Sequence, residues 1–299
     1  MDNLQILLQA PIFSVQLLID GLMIGAIFAL AAYGMALVWG VMNIIDIAQG
    51  EYVMLGGFIT FSLNRVGINP FLGIPVSFAA LFVIGWILYR IVINRIVERD
   101  MFVSILATFG ISILLQQLMS QIFGADIQTV ESGLGTTFIF DNQITISQIK
   151  MVSFVLALAI GVVLVIFMRK SRLGRAIRAT AQNARAARIL GIDTDRVYAV
   201  TFSLNAAICG AAGALVVMTW VVQPYMGLAY TVRSFLIITV AGFGNIATVI
   251  VSGLGLGVAE IFAGFLLGTE FQMAFIFSLL VAILVWRSIR LRRKRQVLR

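Results

Sequence analysis

The sequence predicts an all-α polytopic membrane protein, and three observations carry that reading. Of 299 residues, 61% are hydrophobic and 11% charged, with a mean hydropathy of +1.05, whereas a soluble domain is about one quarter charged. The apolar residues gather into about 8 hydrophobic segments, near 12–41, 52–63, 71–93, 101–123, 151–168, 197–222, 234–267 and 271–286, and a straight helical crossing needs about 20 residues. The net charge of +8 is concentrated in a few clusters rather than spread along the chain.

Taken in order, the segment 12–41 reads as a first crossing. Asp2 and the lack of any early basic residue place its start outside, and it runs on too long, without a basic n-region, for a cleavable signal peptide. Between it and the short segment 52–63 lies NIIDIAQGE, Asn43 to Glu51. A carboxylate at bilayer depth costs roughly 2.5–3.5 kcal/mol on insertion scales, so Asp46, Gln49 and Glu51 need an explanation. Either they form an interfacial loop whose acids touch headgroup water, or they break a helix beside a translocation path. Irregular polar backbone is tolerated at that depth only where protein or a water-filled cavity surrounds it. On the second reading Glu51 bonds to neighbouring helices while Asn43 and Gln49 line the path.

Segments 71–93 and 101–123 read as full spans joined by a loop bearing Arg90, Arg95 and Arg99. Residues 124–150 carry Asp126, Glu131 and Asp141 against Lys150 and form the main external loop. After the span at 151–168, residues 169–196 hold eight basic residues against Asp193 and Asp195. The tail 287–299 holds seven basic residues and no acid. By the positive-inside rule the three basic regions are cytoplasmic. Basic tails also bind nucleic acid, but a topology anchor that meets anionic lipid is the reading favoured here. An outside start and an inside end require an odd number of crossings, so at least one segment is broken or re-entrant. The segment from Phe235 to Leu267 is too long for one crossing and is interrupted by GFGN, Gly242 to Asn245. A half helix followed by a full span is expected there. Gly242, Gly244 and Asn245 then form a second polar break, and paired broken helices are what transporters place near the midplane. Glycines at 21 and 25, 56 and 57, 210 and 213, and 253, 255 and 257 suit close helix approach.

Enzymatic readings lack their residues. With no histidine and one cysteine, neither a Ser-His-Asp or Cys-His arrangement nor the usual zinc sites can form. No GxxxxGK[ST] loop is present, so any ATP that drives this chain binds another. Cys209, among small residues in a span, reads as packing. The stretch GRAIRATAQNARAARILGID, Gly174 to Asp193, is basic, alanine-rich and closed by Gly191, a helix stop. It is either a linker lying on anionic lipid or a short helix that docks on an acidic partner.

At these residues the chain resembles a known family, the LivH-type permease subunits of branched-chain amino acid ABC importers. GLMIGAIFALAAYGMALVWGVMNIIDIAQGEYVMLGG (Gly21 to Gly57), RIVERDMFVSILATFGISILLQQ (Arg95 to Gln117), the 174–193 stretch and AGFGN…GLGLGVAE (Ala241 to Glu260) are similar to its successive blocks, in order. Gln49 stands where that family's motif carries histidine, and Asp46–Ile47 where it carries asparagine–phenylalanine. The resemblance implies an ABC importer permease fold over a single domain, 1–299, with 169–196 as the cytoplasmic coupling loop. Within that loop Gly174, Ala179, Ala187 and Gly191 would set the fit, and Arg178 and Arg185 would make polar contacts. It implies cytoplasmic ATPase subunits that bind ATP and magnesium, a periplasmic substrate-binding protein, and a second permease, with a heterodimer favoured over a homodimer, in a bacterial inner membrane. This chain itself would hold no cofactor. The substrate implied is a branched-chain or related amino acid, with urea, short amides or pentoses as the alternatives in the same superfamily. Two rivals of another class are an ion-coupled secondary transporter using Asp46 or Glu51, and a passive channel.

Overall fold

A computed structural model describes residues 11–97, 99–131, 133–139, 144–242 and 246–297. The chain runs α1 (Pro11–Met42), α2 (Gln49–Arg65), α3 (Gly73–Ile91), α4 (Met101–Phe123), a hairpin of β1 (Thr136–Ile139) and β2 (Ile144–Ser147), α5 (Gln148–Lys170), α6 (Arg172–Gln182), α7 (Ala184–Ile189), α8 (Thr194–Thr219), α9 (Gly227–Ala241), α10 (Ile246–Leu267) and α11 (Gln272–Val297). Seven of the described helices are long and apolar enough to cross a membrane. The expected segment 52–63 is α2, only 17 residues long. The over-long segment divides as its glycines suggest, into the 15-residue α9 and the full-length α10. Gly242 ends α9 with φ 75°, its amide donating to the Ile238 carbonyl. Gly244 and Asn245 lie outside the described residues.

Burial sorts the spans into a centre and a rim. The apolar window of α8 is 94% buried and that of α1 89%, against 22% for α3, α4 and α5 and 6% for α11. Small residues make the centre possible, because apolar helices gain little from burial in lipid and associate by close packing instead. A Cβ on Gly25 of α1 would press on the Gly253 carbonyl of α10, and one on Gly56 of α2 on the Gly210 backbone of α8. Gly255, by contrast, faces nothing within 4 Å, so the middle glycine of the run 253, 255 and 257 takes no part in the contact. The exposed apolar side chains of α3, α4, α5 and α11, such as Val83, Leu106, Val163 and Val281, are what a lipid-facing rim requires.

The loop expected outside carries the only strands among the described residues. Thr136 pairs with Ser147 and Ile139 with Ile144 in antiparallel register. Upstream, Gln128 and Val222 exchange two backbone bonds of 2.9 Å, which tie this loop to the α8–α9 connection. The last helix, α11, continues into the basic tail as far as Val297.

Candidate functional site

The polar break begins where α1 stops. Asn43 takes the left-handed conformation, φ 54°, which asparagine tolerates better than most residues, and its amide donates to the Trp39 carbonyl at 3.0 Å. Asn43 itself is exposed. Asp46, Gln49 and Glu51 are buried, at 1% exposure or less. Asp46 Oδ1 accepts from the Ala48 amide at 3.0 Å and Oδ2 from Asn205 Nδ2 at 3.3 Å. The first bond turns the chain into α2, the second fastens the turn to α8.

Other helices complete the seat. Thr231 of α9 accepts from the Gly50 amide at 2.9 Å and donates to the Ile47 carbonyl at 3.0 Å. Thr108 of α4 accepts from the Ile47 amide at 3.2 Å. Gln49 Nε2 donates to the Ala31 carbonyl at 2.7 Å and to Cys209 Sγ at 2.9 Å. Glu51 Oε1 accepts from Ser112 at 3.2 Å, and its carboxylate lies against Gly227, where a Cβ would collide with it. Gly227 therefore gives α9 its approach to α2. Gln49 Oε1, Glu51 Oε2 and the Tyr52 hydroxyl are buried without a protein hydrogen-bond partner. Cys209, expected as packing, is fully buried and also serves as a weak acceptor for Gln49.

The structure gathers Asp46, Gln49 and Glu51 into one seat but does not bring Gly242 to it. Thr231 touches the turn near one end of α9 and Gly242 closes the other, eleven residues on, a rise of about 16 Å.

A second buried charge system has no counterpart in the sequence reading. Arg233 of α9 forms a two-pronged pair with Glu260 of α10, Nε to Oε2 at 2.9 Å and Nη2 to Oε1 at 2.5 Å. The guanidinium lies over the Phe28 and Tyr230 rings, 4.8 and 5.2 Å from their centroids. The signal that could have found it is one cation and one anion standing alone in adjacent apolar runs. Intramembrane charges pair with one another by default, although 27 residues separate these two.

The basic stretch folds as two short helices rather than one. Ser171 caps α6 by accepting from the Gly174 amide at 2.8 Å. Gly174 lies against the Met168 backbone, with no room for a Cβ, and Arg178 donates to the Met168 carbonyl. Asn183 breaks the run and caps α7, accepting from the Ala186 amide at 3.0 Å. After α7 the chain turns through Gly191, φ 82°, with Ile192 donating to the Ala187 carbonyl at 3.0 Å, the glycine stop the sequence called for. Ala187 is buried, Ala179 half-buried and Arg185 exposed. Ile189 and Leu190 are 81% and 80% exposed. Two consecutive aliphatic side chains at the tip of a basic loop were not singled out by the sequence reading, because the apolar residues of this stretch form no stripe.

Among the described residues no group of three or more acids and cysteines could hold a metal ion.

The family model described as the branched-chain amino acid transport system permease component matches residues 17–284. The chain is 32% identical over 292 residues to the high-affinity branched-chain amino acid transport system permease protein LivH of Salmonella typhimurium, covering 92% of this chain and 94% of that one. It is 28% identical over 286 residues to the BraD permease protein of Pseudomonas aeruginosa, covering 91% and 93%. To the LivH protein named as a probable branched-chain amino acid transport permease in Methanocaldococcus jannaschii it is 27% identical over 262 residues, covering 84% and 81%.

Proposed function

The chain belongs to the branched-chain amino acid transport permease family, and from that premise we propose how it works as the membrane-spanning subunit of an ABC importer. Its substrate is a branched-chain or related amino acid, as the names of its relatives suggest. It pairs with a second, homologous permease in the inner membrane, with residues 124–150 outside and residues 169–196 and the tail inside. Two ATPase subunits, which supply the ATP site and its magnesium, grip the 169–196 loop, and a binding protein delivers substrate to the opposite face.

The observation that carries the coupling assignment is the exposed pair Ile189 and Leu190. Two adjacent aliphatic residues about four-fifths exposed on a loop of arginines suit a hydrophobic slot on an acidic-rimmed partner. Gly174 and Ala187 hold the loop on its own protein, while Arg185 and the apolar pair face outward. Arg178, bonded to the end of α5, braces the loop rather than reaching for a partner. Asp46, Gln49 and Glu51 sit at the interruption between α1 and α2, and the unpartnered acceptors of Gln49 and Glu51 support placing this seat beside the translocation path.

Purification of the tagged chain in mild detergent from its native membrane, with mass spectrometry of its companions, tests this reading. ATPase subunits and a second permease are expected with the wild type. An Ile189→Glu/Leu190→Glu variant is expected to insert normally, to lose about tenfold or more of the ATPase, and to abolish uptake. If the ATPases stay bound to that variant, the apolar pair is not the docking element.

A further inference from the structure

The rim is not uniformly apolar. Along α4, Gly110, Ile113, Gln117 and Gln121 form one exposed stripe, opposite the face from which Thr108 and Ser112 bond to the polar turn. Among the described residues of the long apolar helices, Gln117 and Gln121 are the only exposed carboxamides. Neither has a hydrogen-bond partner among those residues. The outward faces of α3, α5 and α11 hold residues such as Val83, Val163 and Val281 instead.

Depth makes that difference matter. Gln117 stands six residues before the end of α4 at Phe123, a rise of about 9 Å. The whole helix, about 35 Å long, exceeds a hydrocarbon core of about 30 Å by little, so Gln117 lies inside that core. Helical side chains lean toward the N-terminus of their helix, which aims the Gln117 amide away from the nearer membrane surface. Lipid tails offer it neither donor nor acceptor. Gly110 adds a second observation. A Cβ there would meet nothing within 4 Å, so the chain's own packing does not require a glycine, and glycine weakens a helix relative to alanine. Small residues on a membrane helix let another helix come close.

The chemistry of the stripe narrows what covers it. A carboxamide carries both donors and an acceptor, so it pairs with its own kind. In a two-fold or pseudo-two-fold dimer, residues near the axis meet their own counterparts. We propose that α4 is the contact helix for the second permease, packing through Gly110 against the partner's corresponding helix, with Gln117 and Gln121 bonded to polar side chains on it. The proposal rests on the pairing put forward above and gives that pairing its face. α4 then stands between the partner and the seat of Asp46, Gln49 and Glu51, so a shift at the contact reaches the turn through Thr108 and Ser112.

The experiment is photo-crosslinking in native membranes, with a benzophenone amino acid in place of Gln117, Val83, Val163 or Val281 in turn. A link from 117 to the corresponding helix of a second permease is expected, and none from the other three faces. Gly110→Leu and Gln117→Leu are both expected to insert at wild-type level, since both positions are exposed and the second change replaces an amide by an apolar side chain. Gly110→Leu should co-purify about tenfold less of the second permease, and Gln117→Leu about three- to tenfold less. Gly255→Leu, at an equally open position on α10, should retain it in full. If 117 yields no link to a permease, α4 is not the contact; the pairing falls with it only when no second permease co-purifies either. A link from 117 to another part of the partner, or undiminished co-purification by both leucine variants, also overturns the helix match.

Discussion

The turn at 46–51 and the loop at 169–196 are both polar interruptions in an apolar chain, yet their side chains face opposite ways. In the turn, Asp46, Gln49, Gly50 and Glu51 are buried and fastened to α1, α4, α8 and α9 of the same chain. In the loop, Ser171, Asn183 and Asp193 accept from amides three residues ahead, and the arginines are exposed even where, as at Arg178, they bond back to the end of α5. A polar group inside a bundle must be satisfied by the bundle, because hydrocarbon supplies no partner. A polar group on a loop has water as its alternative. Substitutions in the turn should therefore be read in stability, and substitutions in the loop in assembly.

The largest expected effect tests the buried side of that contrast. Arg233→Met leaves Glu260, 4% exposed, as an unpaired buried acid. Removing one partner of a buried pair costs about 3–5 kcal/mol, so the purified variant should unfold at markedly lower temperature and reach the membrane in lower yield. Replacing both, Arg233→Met with Glu260→Met, should recover most of the loss, since the pair as a whole stabilises little against apolar residues of similar volume. A double variant as weak as the single one would mean that the pair is held by its rings, Phe28 and Tyr230, more than by each other.

Next in size is Thr231→Val. The substitution keeps the shape of the side chain and removes the hydroxyl that serves the Gly50 amide and the Ile47 carbonyl. Leaving one buried and one half-buried backbone group without this partner costs about 2–4 kcal/mol. Thermal unfolding in detergent measures it, and binding of the ATPases by the protein that does fold should be unchanged. Reduced ATPase binding at normal stability would show that the turn and the loop are coupled, and the contrast drawn above would fail.

How much of this was legible follows from the range of the interactions. The spans, the short second segment, the division at Gly242 and the stop at Gly191 are local properties of hydropathy, length and backbone freedom, and the sequence displays them directly. The acids at 46 and 51 were legible as an anomaly, but not their partners, because Asn205, Thr231 and Ser112 are ordinary polar residues until the helices are packed. The Arg233–Glu260 pair was missed for the same reason, with 27 residues and a helix break between its members. Asn183 was missed because its neighbours are good helix formers. Its extended backbone, φ -160° and ψ 100°, and its bond to the Ala186 amide mark the division between α6 and α7.

The smallest effect is expected at the edge between the two regimes. Lys150, in the first turn of α5, pairs with Asp20 of α1 at 2.8 Å, and the two side chains are about a quarter exposed. Chemically this is the same kind of pair as Arg233 with Glu260, a base and an acid on different helices. It differs in access to water. When Lys150 is replaced by methionine, Asp20 can turn to solvent or headgroups, and exposed pairs contribute roughly 0–1 kcal/mol. Lys150 also stands at the start of its helix, where the macrodipole disfavours a positive charge, which lowers the expected loss further. Lys150→Met should therefore shift unfolding in detergent far less than Arg233→Met, and added salt should narrow the difference from wild type. A loss comparable to that of Arg233→Met would show that the bundle, rather than water, is the only partner Asp20 has, and would move the boundary between the two kinds of polar site outward to the first turn of α5.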